Sequence, residues 1–118
     1  MLSIVVLHYN RPDLTEGCCR ALEACNRPPT AEVDWLILDN GSDVPYTRPH
    51  WRIVRTTPNR GNIGGQNACF EAAQGEWVLF VSNDVKYFDP EALTTLWPSE
   101  RVGVRQARVF MIGWILAA

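Results

Sequence analysis

Apolar residues in this chain fall into short unbroken runs rather than alternating ones: Ser3 to Leu7 (SIVVL), Trp35 to Leu38 (WLIL) and Trp77 to Val81 (WVLFV). Brief runs of β-branched and aromatic residues read as strands covered on both faces, as in parallel sheets. Ile53 to Arg55 reads as a shorter strand. Between the runs the spacing becomes helical. Leu14, Cys18, Ala21, Leu22 and Cys25 recur on one side of a helix with Pro12 in its first turn, Asn10 as its cap, and Glu16, Arg20 and Glu23 on its polar face. A second helix is predicted from about Asn62, burying Ile63, Phe70 and Ala73 and stopping where Gly75 takes the left-handed conformation after Gln74. A third is capped by Asp89, has Pro90 in its first turn and Leu93, Leu96 and Trp97 on one side, and ends at Pro98. Arg27 to Thr30 reads as a turn and Val44 to Pro49 as a surface loop.

The predicted order is β, α, β, loop, β, α, β, α, then a final segment from Val102. Such alternation specifies an α/β fold, a mostly parallel sheet flanked by helices. With 118 residues, 47% of them hydrophobic, residues 1–118 make one domain with a real core. The net charge of −2 and the scattered basic residues leave no positive stripe, so nucleic acid is not the expected partner. Cys18, Cys19, Cys25 and Cys69 form no CxxC pair and sit in helical patterns, which points to small buried residues in a reducing cytosol rather than to zinc or disulfides. Met1 leads straight into a strand with no charged n-region, so a secretory signal is not expected, and the apolar run Val109 to Ala118 is too short to span a bilayer. Cytoplasmic residence is the expectation.

Three of the strands are followed by polar residues: His8, Tyr9, Asn10 and Arg11; then Asp39, Asn40, Gly41 and Ser42; then Ser82, Asn83 and Asp84. Parallel strands all point one way, so these groups converge on the edge where such sheets bind ligands, and the ligand class suggested is a nucleotide. Asp39 offers a carboxylate to a base or ribose, or simply holds an Asx turn. Asn59, Arg60, Gly61 and Asn62 lead into the second helix, whose free N–H groups suit a phosphate. Asn83 and Asp84 supply two oxygen ligands of the kind that Mg²⁺ and Mn²⁺ prefer.

SIVVLHYNRP, WLILDNGS and NRGNIGGQNACFEAAQGEWVLFVSNDV, in that order, resemble the N-terminal half of glycosyltransferase family 2, which has the Rossmann-like GT-A fold. The resemblance spans roughly residues 3 to 97, with the Asn-Asp-Val version of the acidic motif seen in rhamnosyltransferase-like members. It implies that His8, Tyr9, Asn10 and Arg11 line the nucleotide pocket, that Asp39 with neighbouring Asn40 meets the base or ribose, and that Arg60, Asn62 and Gly65 flank the donor. The metal motif of the family is usually Asp-x-Asp. Here it is Ser82-Asn83-Asp84, so Asp84 alone matches as a carboxylate ligand of Mn²⁺ or Mg²⁺, beside Asn83.

The implied donor is a UDP- or dTDP-sugar, and the implied acceptor is a glycan or lipid-linked saccharide at the inner membrane face. In the family the general base and acceptor wall lie beyond the metal motif. The chain reads as a donor-binding half without them, inactive by itself, with Val109 to Leu116 uncovered and inclined to self-association. A non-catalytic nucleotide-sugar-binding domain is the alternative. A dinucleotide-binding enzyme fits poorly, because the first strand is followed by His8-Tyr9-Asn10-Arg11 and Gly61, Gly64 and Gly65 have the wrong spacing for its glycine fingerprint.

Overall fold

The seven residues Leu2–His8 form β1, which is buried along nearly its whole length. A strand buried on both sides needs cover on both faces, and a computed structural model of the protein, describing residues 1–27, 32–96 and 108–111, shows where the cover comes from. The elements that follow are α1 (Pro12–Ala24), β2 (Val33–Asn40), β3 (Arg52–Thr56), α2 (Gly61–Ala72), β4 (Trp77–Ser82), α3 (Ala92–Leu96) and β5 (Arg108–Met111). The strands make one sheet in the order β3-β2-β1-β4-β5, and every pairing is parallel.

One face of the sheet, carrying Leu2, Ile4, Val6, Ile37, Leu79 and Val81, packs against Cys18, Cys19 and Leu22 of α1 and against Phe88 and Leu93. The other, carrying Val5, Leu36, Leu38, Val78 and Phe80, packs against Ala68 and Cys69 of α2. Unbroken apolar strands are thus the sequence mark of a two-sided core. The four cysteines are free and buried, as expected.

The structure corrects several local readings. Helix α2 does not bury Ile63 or Phe70, which are 76% and 36% exposed, and Ala73 lies beyond its end, half-buried. It lies on the sheet through Gly65, Ala68 and Cys69, and the approach is close: a Cβ on Gly65 would fall 2.6 Å from Asn40 Nδ2 and 3.2 Å from Leu7 Cδ1. Small residues permit that approach, so they take the inner face whatever the larger ones prefer.

Nor does Gly75 end α2 in the left-handed region. Ala73 ends it in an extended conformation, and Gly75 serves close approach instead, since a Cβ there would meet Met1 O and Ser3 N at 2.7 Å. Asn10 does not cap α1. The cap position is Arg11, without a side-chain cap bond, while Asn10 takes φ 52° and ties itself to Asp43.

Glu16 and Glu23 are more than surface charge, because both grip Arg48 and so bind the 43–51 loop to α1. Asp39, Asn40 and Ser82 are the last residues of their strands rather than the first of the loops, so the edge is built partly from buried side chains. Helix α3 starts later than expected, at Ala92: Asp89 and Pro90 form the turn before it, in which Asp89 Oδ1 accepts from Glu91 N at 2.8 Å, and Leu93 is buried. Thr30, Trp97, Pro98, Val102 and the run beyond Met111 lie outside the described residues.

Candidate functional site

From β1 the chain moves outward through β2 to β3, then crosses by α2 to β4 on the other side of β1. This reversal leaves a crevice between the carboxyl ends of β1 and β4, the place where open parallel sheets bind ligands. An open cleft of about 320 Å³ lies there. Leu7 lines it from β1 and Tyr9 from just after it, Arg11 and Leu14 from the start of α1, Asn40 from β2, Asn59, Gly61 and Asn62 from the entry to α2, Ser82 from the end of β4 and Asn83 from just after it.

Five of the residues singled out from sequence, Tyr9, Arg11, Asn40, Asn62 and Asn83, therefore share one cleft. Tyr9 is 46% exposed and presents a ring to solvent, while the Arg11 guanidinium is held by Asp13 at 2.8 Å. Leu7, Leu14 and Asn59 were not chosen as site residues from the sequence. Leu7 and Leu14 carry no polar signal, and Asn59 read as part of a helix entry.

Asn40 is nearly buried and organises one wall. Its Oδ1 accepts from Thr56 Oγ1 at 2.8 Å and from Arg60 N at 3.0 Å, and its Nδ2 donates to Gly61 O at 3.1 Å. Asn59 Oδ1 accepts from Gly61 N at 2.6 Å. Gly61 has φ +76°, and this backbone conformation carries the chain into α2. Arg60 and Gly65 support the wall: Arg60 through its backbone, with its side chain 3.8 Å from Glu71, and Gly65 by packing against Asn40.

Asp39 is fully buried, and both of its oxygens are engaged. Oδ1 accepts from Ser42 N at 3.1 Å; Oδ2 accepts from Tyr46 N at 3.0 Å and from Arg55 Nη1 at 2.9 Å. Burial opposes its ionisation, but the bonds from Ser42 and Tyr46 outweigh this and hold its carboxyl below the ordinary value. In this arrangement Asp39 shapes the turn, whose tightness needs Gly41: a Cβ there would lie 2.5 Å from Asn59 N, and its φ is +74°. The turn in turn holds Asn10, whose N–H donates to Ser42 Oγ at 2.9 Å.

His8 sits beneath this edge, 1% exposed, beside the Tyr46 ring at 4.5 Å. Burial lowers its pKa, with the charge of Asp39 opposing.

A family model described as glycosyl transferase family 2 matches residues 3–99. The chain belongs to this family. No curated protein matches the chain significantly. Among solved structures it is similar to the crystal structure of S. aureus TarS 1–349, with a TM-score of 0.61 and 24% identity over 78% of this chain. The chain spans 29% of that protein's length, and the likeness is one of fold. The α/β sheet is accordingly of the GT-A type expected from the three motifs.

For a divalent cation the oxygen groups at the end of β4 are the relevant ones. Asp84 is exposed; Asn83 donates its Nδ2 to Thr15, and its carbonyl oxygen accepts nothing among the described residues. Among these residues no three His, Cys, Asp or Glu gather into a cage. One carboxylate and one amide oxygen fit a Mg²⁺ or Mn²⁺ ion that takes most of its ligands from phosphate and water. No described helix is long and apolar enough to cross a membrane.

Proposed function

We propose that this family 2 chain binds a nucleoside-diphosphate sugar, UDP- or dTDP-linked, in the cleft between the ends of β1 and β4. It would thereby supply the donor side of glycosyl transfer to a glycan or lipid-linked saccharide. The observation that carries the reading is the cleft at the chain reversal, where Tyr9, Arg11, Asn40, Asn62 and Asn83 meet. An exposed ring suits stacking on a base, amides suit ribose hydroxyls, and a guanidinium with the free N–H groups at the start of α2 suits phosphate.

Asp84, with Asn83, would hold Mn²⁺ or Mg²⁺. The ion would offset the negative charge that develops on the departing diphosphate. Asp39, buried, acts on the nucleotide through the Ser42 to Tyr46 turn that it holds. The groups lining the described cleft are amides, a phenol, a guanidinium and a hydroxyl beside apolar and backbone surface, so no general base is assigned to it. Calorimetric titration with UDP and dTDP, with and without Mn²⁺, tests the proposal. Saturable binding that tightens with metal is expected. No binding of either nucleotide under any metal condition overturns it.

A further inference from the structure

The buried side chains His8 and Thr15 take no part in the cleft lining, yet they join its two halves. His8 Nδ1 lies 2.5 Å from Thr15 Oγ1, and the same Oγ1 accepts from Asn83 Nδ2 at 3.3 Å. His8 and Thr15 are 1% and 0% exposed, so water does not compete for either. A hydroxyl has one proton to donate and lone pairs to accept with. With its oxygen accepting from Asn83, Thr15 still has its proton to give to His8 Nδ1 when the imidazole is neutral and carries its own proton on Nε2.

One turn along α1, the Cys18 thiol reaches Ser82 O at 3.7 Å, a second hold on the same strand end. On the other side His8 is the register partner of Asp39 and packs on Tyr46, whose N–H binds Asp39.

We infer that Thr15, backed by His8, is a positioning residue that fixes the Asn83 amide with its nitrogen inward, leaving its oxygen for a divalent cation beside Asp84. The inference rests on the donor-site reading for its consequence but not for its geometry. The oxygen and nitrogen of an amide lie on opposite sides of its carbon, so a donor bond to Thr15 turns the oxygen away from α1. Without the hydroxyl the amide can flip and present N–H groups, which repel a cation.

Two measurements on Thr15→Val and Thr15→Ser test it, with thermal melting to confirm that both fold. The first is the NMR spectrum of the Asn83 side-chain amide in the ligand-free protein, assigned by its disappearance in Asn83→Asp. Its signals should move and lose exchange protection in Thr15→Val and stay in place in Thr15→Ser. The second is titration with UDP and Mn²⁺ against titration with uridine alone. Thr15→Val should weaken the metal-dependent UDP binding about three- to tenfold, the scale of one hydrogen bond, and leave uridine binding unchanged. Thr15→Ser should restore the wild-type value.

An unmoved Asn83 amide in Thr15→Val overturns the inference whether or not nucleotide binds. A moved amide with undiminished metal-dependent binding overturns the functional role. Wild-type protein that binds no UDP overturns the donor-site reading and that role together, while the spectrum still decides the orientation.

Discussion

Strand β2 carries one buried aspartate near each end, and each is paired with an arginine of β3. At the start, Asp34 accepts from Ser3 Oγ at 2.7 Å, from both Nε and Nη2 of Arg52 at 3.1 and 3.0 Å, and from Gln74 N at 3.2 Å. Arg52 also donates to Ala72 O at 2.7 Å, closing the free carbonyl end of α2. At the other end, Asp39 accepts from Ser42 N, Tyr46 N and Arg55, which in turn holds Ser42 O at 2.6 Å.

The chemistry is the same, yet the Asp34 network is knotted around the helix end, whereas the Asp39 network stands beside an open cleft. A buried aspartate–arginine pair thus says little about function by itself. What marks the site is the space left beside the pair, and that space arises because the chain reverses direction between β1 and β4.

The largest test removes each carboxylate in turn. Asp34→Ala and Asp39→Ala should each cost about 3 kcal/mol of stability in chemical denaturation, because each strands a partly buried arginine and several N–H groups. Only Asp39→Ala should also weaken UDP binding by the folded protein, with or without metal. Equal loss of binding in both variants would erase the distinction between the two ends.

A smaller effect is expected from Gly65→Ala, which pushes a methyl into Asn40 and Leu7. It should lower stability by about 1–3 kcal/mol, the usual scale of overpacking, and disturb UDP binding through the Asn40 wall. A Gly17→Ala control, where nothing lies within 4 Å of the added methyl, should show neither effect.

At the cleft itself, Asp84→Ala should abolish the dependence of UDP affinity on Mn²⁺ while leaving stability within about 0.5 kcal/mol of wild type, as suits an exposed side chain. A variant that keeps the metal response would move the cation site elsewhere.

The mildest effect concerns pH. His8 faces Thr15 from α1, Tyr46 from the 43–51 loop and the ionised Asp39 from β2, itself paired with Arg55. Its pKa is lowered in the folded protein, so the unfolded chain takes up the proton first as pH falls. The stabilisation is complete above the unfolded value of about 6.5 and fades as the pH drops from there toward the lower folded value. The melting temperature should fall across that window, and His8→Gln should flatten the dependence. The Asp39 contribution is lost only at lower pH, below the ordinary carboxylate range, since its pKa too is lowered.

Much of the fold was legible in the sequence because its signals are local. The runs SIVVL, WLIL and WVLFV fix strands, their lack of alternation fixes a two-sided core, and the polar residues at their ends mark one edge of the sheet before any contact is known. Pro12, with its locked φ, begins α1 as read. The family motifs carried the same message, since they are those strand ends.

The tertiary structure decided what depends on residues far apart in the chain. Which face of α2 turns inward was settled by the close approach of Gly65 to Asn40 and Leu7, not by hydrophobicity, which favoured Ile63 and Phe70. Of the two roles the sequence left open for Asp39, ligand contact and turn former, the fold shows the turn former, because Tyr46 and Arg55 fold back on it. Thr15, silent in the sequence as an ordinary helical residue, gained its place only when Asn83, 68 residues later, arrived beside it. Periodicity reports the average surroundings of a residue along one element, whereas a hydrogen bond needs two particular atoms within about 3 Å, and only the folded chain sets that distance.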